Sequence, residues 1–370
     1  MDASTRPTRR TRTLIGAGAA ATVGVLALAG CAGPAASSES TGPQIVATTT
    51  QVGDFTRELL GGDAELTQLL SPGQSAHSFD PSAAQLLALS NADALVVNGG
   101  GLESWLDDAI DASGFDGVLI DASTGIEMFG TDDHDHDEAE ATEHEHADEA
   151  SDDAADDEHE HAHDEAEADD TDHAGHDHGD GNPHIWTDPE LAEDMVENIA
   201  DGLETVDGID TVQLEANETA YLAKLDALDA WIEENVEQVP AADRLLVTNH
   251  DAFTYFVDAY DVTFVGSIIP SFDDNAEPSA AEIDALVAKI EATGVQAVFS
   301  EASISAKAAE TIAAESGVAV YSGPDALYGD SLGAAGSGGE TYLGSQIHNA
   351  RLILESWGVT PTALPALLQG

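Results

Sequence analysis

Apolar and polar positions between residues 44 and 120 alternate between two patterns. Short apolar runs rich in Val, Ile, Leu and Thr predict buried strands at 44–50, 94–98 and 117–120. Stretches with helical spacing of apolar residues separate or follow them, at 54–60, 81–91 and 104–110. Strands that alternate with helices predict a parallel sheet that is covered by helices on both faces.

A long helix is predicted in the middle of the chain. Residues 212–238 contain neither Pro nor Gly, and their apolar positions recur with helical spacing. At 1.5 Å per residue the helix is about 40 Å long. Pro240 ends it. An earlier helix is predicted to begin at Pro189, with Asp188 as its N-cap.

The alternation then repeats in the second half. Strands are predicted at 245–248, 263–269, 297–300 and 318–321, and helices at 252–260, 279–293, 305–316 and 342–357. Ser279 is a predicted N-cap, and Gly294 lies just past the end of the same helix.

The predicted fold class is therefore α/β, with two Rossmann-like lobes joined by one long rigid helix. The lobes comprise residues 44–211 and 239–370, and residues 212–238 form the linking helix. Ligands of open α/β sheets bind beyond the carboxyl ends of the strands. We therefore expect the binding site in a cleft between the lobes.

The first 30 residues have the pattern of a secretory signal. Four arginines precede an apolar stretch at 14–28, and small residues then lead to Cys31, the only cysteine. This resembles a bacterial lipoprotein signal peptide, 1–30, whose cleavage leaves Cys31 as the lipidated first residue. Residues 31–43 are rich in Ala, Ser, Gly and Pro and predict a flexible tether. The protein is thus expected to be lipid-anchored on the extracytoplasmic face of the membrane, after general secretory or twin-arginine export.

One segment, residues 131–180, is acidic and histidine-rich, and we call it the His-rich insertion. It has almost no bulky apolar residue and is predicted to be disordered. Imidazoles recur as H-x-H, which puts both on one face of an extended chain, where they can bind a metal ion. The alternative is a solvated acidic linker. The ten histidines of the His-rich insertion are His134, His136, His144, His146, His159, His161, His163, His173, His176 and His178.

The formal net charge of the chain is −62 at pH 7. Such a charge excludes nucleic acid as a partner. It concentrates cations near the surface, but it does not indicate which metal is bound.

Four histidines lie outside the insertion. His77, His184 and His250 stand in predicted loops beside helices or at a strand end, where rigid elements can position them. Imidazole nitrogen is a ligand that zinc prefers. For each of the three, taken alone, a surface or capping role is favoured, and the metal site is indicated only by the three together with the motifs around them. His348 lies in the closing helix and is interpreted as a surface residue.

Several motifs then carry a family resemblance that spans residues 44–357. The chain resembles the metal-binding substrate-binding proteins of bacterial ABC importers, the family 9 (cluster A-I) solute-binding proteins. The His-rich insertion before the second histidine motif is typical of the zinc branch, the ZnuA-like proteins. The motifs are AHSFDPS at 76–82, NADALVVNGGGLESWL at 91–106, PHIWTDP at 183–189, TNHDAFTYF at 248–256, FSE at 299–301, DSLG at 330–333, and ETYL at 340–343 with Asn349.

The resemblance implies a metal site between the lobes. It gives His77, His184 and His250 as Zn²⁺ ligands and Asp330 as the candidate fourth, with Asp80 and Asp251 as alternatives. Manganese members carry a carboxylate at the position of His250, and three imidazoles favour zinc over manganese. Glu301 is expected to hold a ligand imidazole, or else to be a solvated loop acid.

The resemblance also implies the function. We expect a monomeric, high-affinity zinc-binding component that delivers Zn²⁺ to an ABC permease and its ATPase. The alternatives are a manganese- or iron-type member, and a surface adhesin or zinc store. A zinc hydrolase needs a general base beside the metal, and no compact motif such as H-E-x-x-H occurs, so we expect no enzyme. Some zinc members carry a disulfide in the second lobe, which a chain with one cysteine cannot form.

Overall fold

The structure is a computed structural model that describes residues 42–62, 64–129, 181–271, 274 and 276–369. The signal peptide, most of the tether with Cys31, and the His-rich insertion with its ten histidines lie outside the described residues. The expectations for these segments therefore stay predictions. Among the helices that are described, none has both the length and the apolar character that a membrane span requires.

The first lobe contains a parallel four-stranded sheet in the order β2-β1-β3-β4. The two central strands are almost wholly buried, which explains their continuous apolar sequences. The edge strand β2 was not predicted from the sequence. The elements are β1 (Gln44–Ala47), α1 (Thr50–Leu60), β2 (Glu65–Gln68), α2 (Ala83–Leu89), β3 (Ala94–Val97), α3 (Leu106–Ser113), β4 (Val118–Asp121) and α4 (Pro189–Glu204).

Helix α1 begins earlier than its apolar spacing predicts. The Thr49 hydroxyl accepts a hydrogen bond from the Val52 backbone N–H, so the chain leaves the first strand and turns into the helix at this point. Gly61 ends the helix in the left-handed conformation, with φ at 58°. Helix α4 begins as predicted, with Asp188 as N-cap and Pro189 in its first turn.

The linking helix is α5 (Thr211–Val236), which has 26 residues and is about 39 Å long. Asp210 caps it by accepting from the backbone N–H groups of Val212 and Gln213. The helix packs on α1 and α4 of the first lobe and on α9 (Tyr342–Ser356) of the second. One rigid element therefore supports both lobes.

The second lobe repeats the strand arrangement of the first. Strands β5 and β6 form one parallel pair, β7 and β8 form another, and β5 lies beside β7. The lateral order β6-β5-β7-β8 is thus equivalent to the order in the first lobe, and the predicted two-lobe α/β fold is confirmed. The elements are β5 (Leu245–Thr248), α6 (Thr254–Ala259), β6 (Thr263–Ser267), α7 (Ala280–Thr293), β7 (Ala297–Phe299), α8 (Lys307–Ser316) and β8 (Ala319–Tyr321).

Residues 329–342, which we call the return segment, run from the second lobe back onto the first. The Leu332 N–H donates to the Thr50 hydroxyl at 2.8 Å. The Tyr342 N–H donates to an Asp54 carboxylate oxygen, also at 2.8 Å. Both acceptors are buried polar residues of α1, and the return segment supplies the partners that burial requires.

Acidic side chains crowd the surface where α4 packs on α5. Burial, followed by the carboxylates of nearby acids, raises the pKa of Glu193 from 4.5 to about 7. The Glu193 carboxyl group therefore binds its proton more tightly in the folded state than in the unfolded chain. The contribution of Glu193 to stability is fully present below pH 4.5 and is lost as the pH rises to about 7. The nearby acids are Asp226, Asp229, Glu190 and Glu197.

We expect Glu193→Gln to stabilise the protein at neutral pH. Because Glu193 is only partly buried, water screens the repulsion, and the gain in the free energy of unfolding is at most about 1 kcal/mol. Urea unfolding at pH 8 and pH 4.5 measures it, and the gain should disappear at the lower pH. Asp194→Asn, at the adjacent exposed position, is the matched control. An equal gain at both pH values contradicts the explanation.

Candidate metal centre

Three imidazoles and one carboxylate meet between the lobes. One donor atom from each of His77, His184, His250 and Asp330 lies within 4.8 Å of all the others. The Nε2 atom of His184 is 3.3 Å from Nε2 of His77, 3.2 Å from Nε2 of His250 and 2.9 Å from Oδ1 of Asp330. Nε2 of His250 is 3.2 Å from the same oxygen. The cleft thus brings together the four residues that the family resemblance indicated.

These distances match the edges of a small tetrahedron. Ligand atoms placed about 2.0–2.1 Å from a tetrahedral zinc ion are about 3.3 Å from one another. Nε2 of His77 is 3.7 Å from Oδ2 of Asp330, which is the longest of these separations. Donor lone pairs repel at such distances unless a cation or a shared proton lies between them. The four residues could therefore hold one metal ion.

The loop that carries His77 is fixed by the start of α3. The Trp105 indole N–H donates to the Ala76 carbonyl at 2.8 Å, and the Ser104 hydroxyl donates to the His77 carbonyl at 3.1 Å. Glu103 joins this network from the same turn. Its carboxylate accepts from the Asn98 N–H at 2.8 Å. These contacts explain the Asn98-Gly-Gly-Gly-Leu-Glu-Ser-Trp105 motif as a support for the His77 loop.

Glu103 is itself a buried acid. Burial raises its pKa to about 7. Against this, the carboxylate accepts from the Thr48 hydroxyl at 2.6 Å and from the backbone N–H groups of Asn98 and Gly99. Donors of this kind favour the ionised form. Glu103 therefore orders the turn by accepting from three donors at once.

His184 begins a short 3-10 helix, Ile185–Thr187, and is fully buried. Its Nδ1 lies 2.7 Å from the Asn182 side-chain oxygen, which can only accept, so Nδ1 carries the proton. Burial lowers the pKa of His184 to about 4, although Asp330 opposes the shift. The imidazole is thus neutral at physiological pH and keeps a free lone pair on Nε2, the form that binds metals.

His250 lies two residues after the end of β5 and is held by Glu301. One carboxylate oxygen of Glu301 lies 2.7 Å from Nδ1 and accepts from the His250 backbone N–H at 3.1 Å. Burial lowers the pKa of His250, but the carboxylates of Asp330 and Glu301 outweigh it and hold the pKa well above its usual value. Glu301 is buried rather than solvated, and burial raises its own pKa. Its position matches that of a residue that orients a ligand imidazole.

Asp330 is the one carboxylate of the group and comes from the return segment. Burial raises its pKa, but His250 and His184 outweigh burial and hold the pKa well below its usual value. Its Oδ2 is buried with no hydrogen-bond partner among the described residues. A buried carboxylate oxygen in this state is available to a cation.

The remaining sequence candidates lie outside the group. Asp80 is exposed, and Asp251 has its side chain engaged by the Thr254 hydroxyl at 2.8 Å. His348 is half-buried and 2.9 Å from the Ala326 carbonyl, so it is less exposed than its interpretation as a surface residue implied. Asn182 was not predicted as a site residue. The only signal for it in the sequence is its position immediately before Pro183 and His184.

Comparison with known proteins identifies metal-binding relatives of this chain. The family described as zinc-uptake complex component A, periplasmic, matches residues 45–356. A manganese-binding lipoprotein, MntA of Halalkalibacterium halodurans, is 28% identical over 314 residues, which cover 85% of this chain and 88% of the relative. The zinc-binding protein AdcA of Streptococcus pyogenes is 29% identical over 280 residues, which cover 74% of this chain. The match spans only 48% of AdcA.

The fold has solved counterparts as well. The periplasmic zinc-binding protein TroA of Treponema pallidum is 25% identical and superposes with a TM-score of 0.67. The superposition covers 85% of this chain and 99% of TroA. The family match includes both lobes and all four residues of the centre. The chain therefore belongs to the family of zinc-uptake complex component A, whose members are solute-binding components of transporters and not enzymes.

Proposed function

We propose that this protein binds Zn²⁺ as cargo at the centre formed by His77, His184, His250 and Asp330 and delivers it to an ABC permease. Proteins of this family bind metal outside the cytoplasm and work with a permease and its ATPase. The observation that supports zinc as the cargo is the donor set: three imidazole nitrogens and a carboxylate oxygen at tetrahedral spacing.

Manganese is the second candidate, because one relative is named a manganese-binding lipoprotein and others are named zinc-binding. Manganese favours carboxylate, carbonyl and water ligands in octahedral arrangements, whereas imidazole suits zinc. Nitrogen supplies three of the four donor atoms here, and the centre is almost fully buried. Both features favour zinc.

The surrounding residues prepare the imidazoles for the ion. Asn182 accepts from Nδ1 of His184, and Glu301 accepts from Nδ1 of His250, so both rings offer Nε2 to the same point. Such partners fix ring orientation and increase ligand basicity. Asp330 supplies one negative charge against the two of the dication. The centre therefore requires little rearrangement to exchange the water shell of the ion for protein ligands.

We also propose that the protein is anchored to the membrane in the way that its sequence predicts. Cys31, once lipidated, anchors the protein on the extracytoplasmic face, and residues 31–43 serve as the tether. Several relatives, MntA among them, are named lipoproteins, which supports this proposal. The His-rich insertion binds several ions weakly and raises the local supply of zinc beside the tight centre.

Competition titration against a chelator of known affinity tests the choice of metal. We expect one tight zinc ion per protein and manganese binding that is at least about a hundredfold weaker, because of the imidazole-rich donor set. Metal identification by anomalous diffraction, in crystals grown with both metals, checks which ion occupies the centre. Manganese binding as tight as zinc binding contradicts the proposed specificity.

Deletion of residues 131–180 tests the division between tight and weak binding. The Asn182 N–H donates to the Phe129 carbonyl at 2.8 Å, so the chain positions that flank the insertion are adjacent and a short Gly-Ser turn can join them. We expect the deletion variant to keep one tight zinc ion and to lose the weak ones. A full-length variant with the ten insertion histidines replaced by Asn is the matched control. Loss of the tight ion on deletion contradicts the proposal.

A further inference from the structure

Asn182 uses both ends of its side-chain amide, one end on each lobe. Its Oδ1 accepts from Nδ1 of His184 at 2.7 Å and from the His184 backbone N–H at 3.1 Å. Its Nδ2 donates to the Asp251 carbonyl at 2.9 Å and to the Thr254 hydroxyl at 3.0 Å. The residue is only 6% exposed. Each polar atom of the amide is therefore satisfied inside the protein.

The orientation of this amide follows from its partners. The Asp251 carbonyl can only accept, so the NH₂ group must face it, and the His184 backbone N–H can only donate, so the oxygen must face that side. The oxygen then requires the proton of the His184 ring on Nδ1. Contacts on both lobes thus determine the amide orientation, and the amide determines the tautomer that leaves Nε2 free.

The second-lobe partners of Asn182 lie shortly after His250, which is another residue of the centre. Asp251 comes directly after His250, and Thr254 is the first residue of α6. A single amide therefore joins the segment that carries His184 to the loop that carries His250. Separation of the lobes would break both of its donor contacts while each imidazole stayed on its own loop.

We propose that Asn182 is a positioning residue that locks the two ligand-bearing loops together and holds the His184 proton on Nδ1. This inference rests on the proposed zinc-binding function and extends it to retention of the ion. While the amide bridges the lobes, both Nε2 atoms face one point and the ion is retained. Once the bridge opens, only the His184 side of the amide remains held, the two loops can separate, and the ion leaves faster. With the ion gone, Nε2 of His184 can take the proton and the ring can adopt the other tautomer.

Substitution of the Asn182 side chain can separate the locking role from the tautomer role. It leaves the backbone contacts of residue 182 in place. The Asn182 carbonyl accepts from the Tyr255 hydroxyl and its N–H donates to the Phe129 carbonyl, and both groups are backbone. Asn182→Asp keeps an acceptor for His184 but places a carboxylate oxygen against the Asp251 carbonyl. Asn182→Leu removes the contacts on both sides.

Zinc dissociation, followed by stopped-flow mixing with excess chelator, measures retention. We expect dissociation about ten- to a hundredfold faster in Asn182→Asp, although His184 keeps its acceptor. Asn198→Asp is the matched control, because the Asn198 amide also donates two hydrogen bonds, in its case to the carbonyls of Ala122 and Thr124 within the first lobe. This control should dissociate at the parental rate. A parental rate in Asn182→Asp overturns the locking role.

Nitrogen NMR of the metal-free protein, with labelled histidine, measures the tautomer. We expect the His184 ring to carry its proton on Nδ1 in the parent and in Asn182→Asp, and a mixture of tautomers in Asn182→Leu. An unchanged spectrum in Asn182→Leu overturns the tautomer role. These spectra need no metal, so they decide this role even if the parent fails to bind zinc tightly, a result that contradicts only the proposed function.

Discussion

Replacement of His184 by alanine is expected to abolish tight zinc binding while the protein stays folded. Its Nε2 lies within 3.3 Å of the donor atoms of His77, His250 and Asp330, so it is the atom closest to all the others. Structural zinc sites with four ligands bind with about 10–16 kcal/mol, and the loss of one ligand costs roughly a quarter of this. This is about 2.5–4 kcal/mol, so affinity should fall roughly 70- to 900-fold.

Calorimetry with a competing chelator measures this loss, and thermal unfolding of the metal-free variant confirms that the fold remains. His348→Ala is the matched control, because it removes an imidazole whose Nε2 lies against the Ala326 carbonyl, away from the centre. The control should bind zinc as the parent does. Parental affinity in His184→Ala would mean that the tight ion binds elsewhere.

Gly329→Ala is expected to weaken zinc binding although it replaces none of the four proposed ligands. A methyl group at residue 329 would clash with the free carboxylate oxygen of Glu301 and would approach the His250 ring to 3.6 Å. Glu301 must then move, and His250 loses the partner that orients it. Loss of such a partner costs about ten- to a hundredfold in metal affinity. Overpacking of this buried position should also cost about 1–3 kcal/mol of stability.

Zinc titration and urea unfolding of the Gly329→Ala variant measure the two effects. Gly338→Ala serves as the control from the same return segment, because a methyl group there would meet only the His348 ring, at 4.0 Å. Retained affinity in Gly329→Ala would show that Glu301 does not position His250.

The sequence predicted the elements best where local chemistry marks their ends. Helix α7 was predicted in full because Ser279 provides a capping box and Gly294 adopts the left-handed conformation that ends a helix. Strand β2 was missed because its four residues are only partly buried at a sheet edge, so no apolar run marks it. Helix α6 begins at Thr254 instead of Ala252, since the preceding residues form the loop after His250.

The centre was predictable only in part, and for a different reason. The motifs around His77, His184 and His250 identified these residues through the family resemblance, and the structure places them together. No local pattern predicts that Gln51 donates to the Gly329 carbonyl at 3.0 Å, because 278 residues separate the two. Contacts of this kind, like those of Asn182, depend on how the lobes meet, and a pattern of nearby residues does not contain that information.

The return segment has a consequence for how the protein folds and unfolds. Residues 42–236, produced alone, would lack the partners of Thr50, Gln51 and Asp54, and would leave these polar side chains of α1 uncovered. Trp186 would also lose its contact with the Gly329 carbonyl. The first lobe is therefore not an autonomous domain, despite its own sheet. We expect the two lobes to unfold in a single cooperative transition, so that local damage far from the cleft still releases the ion.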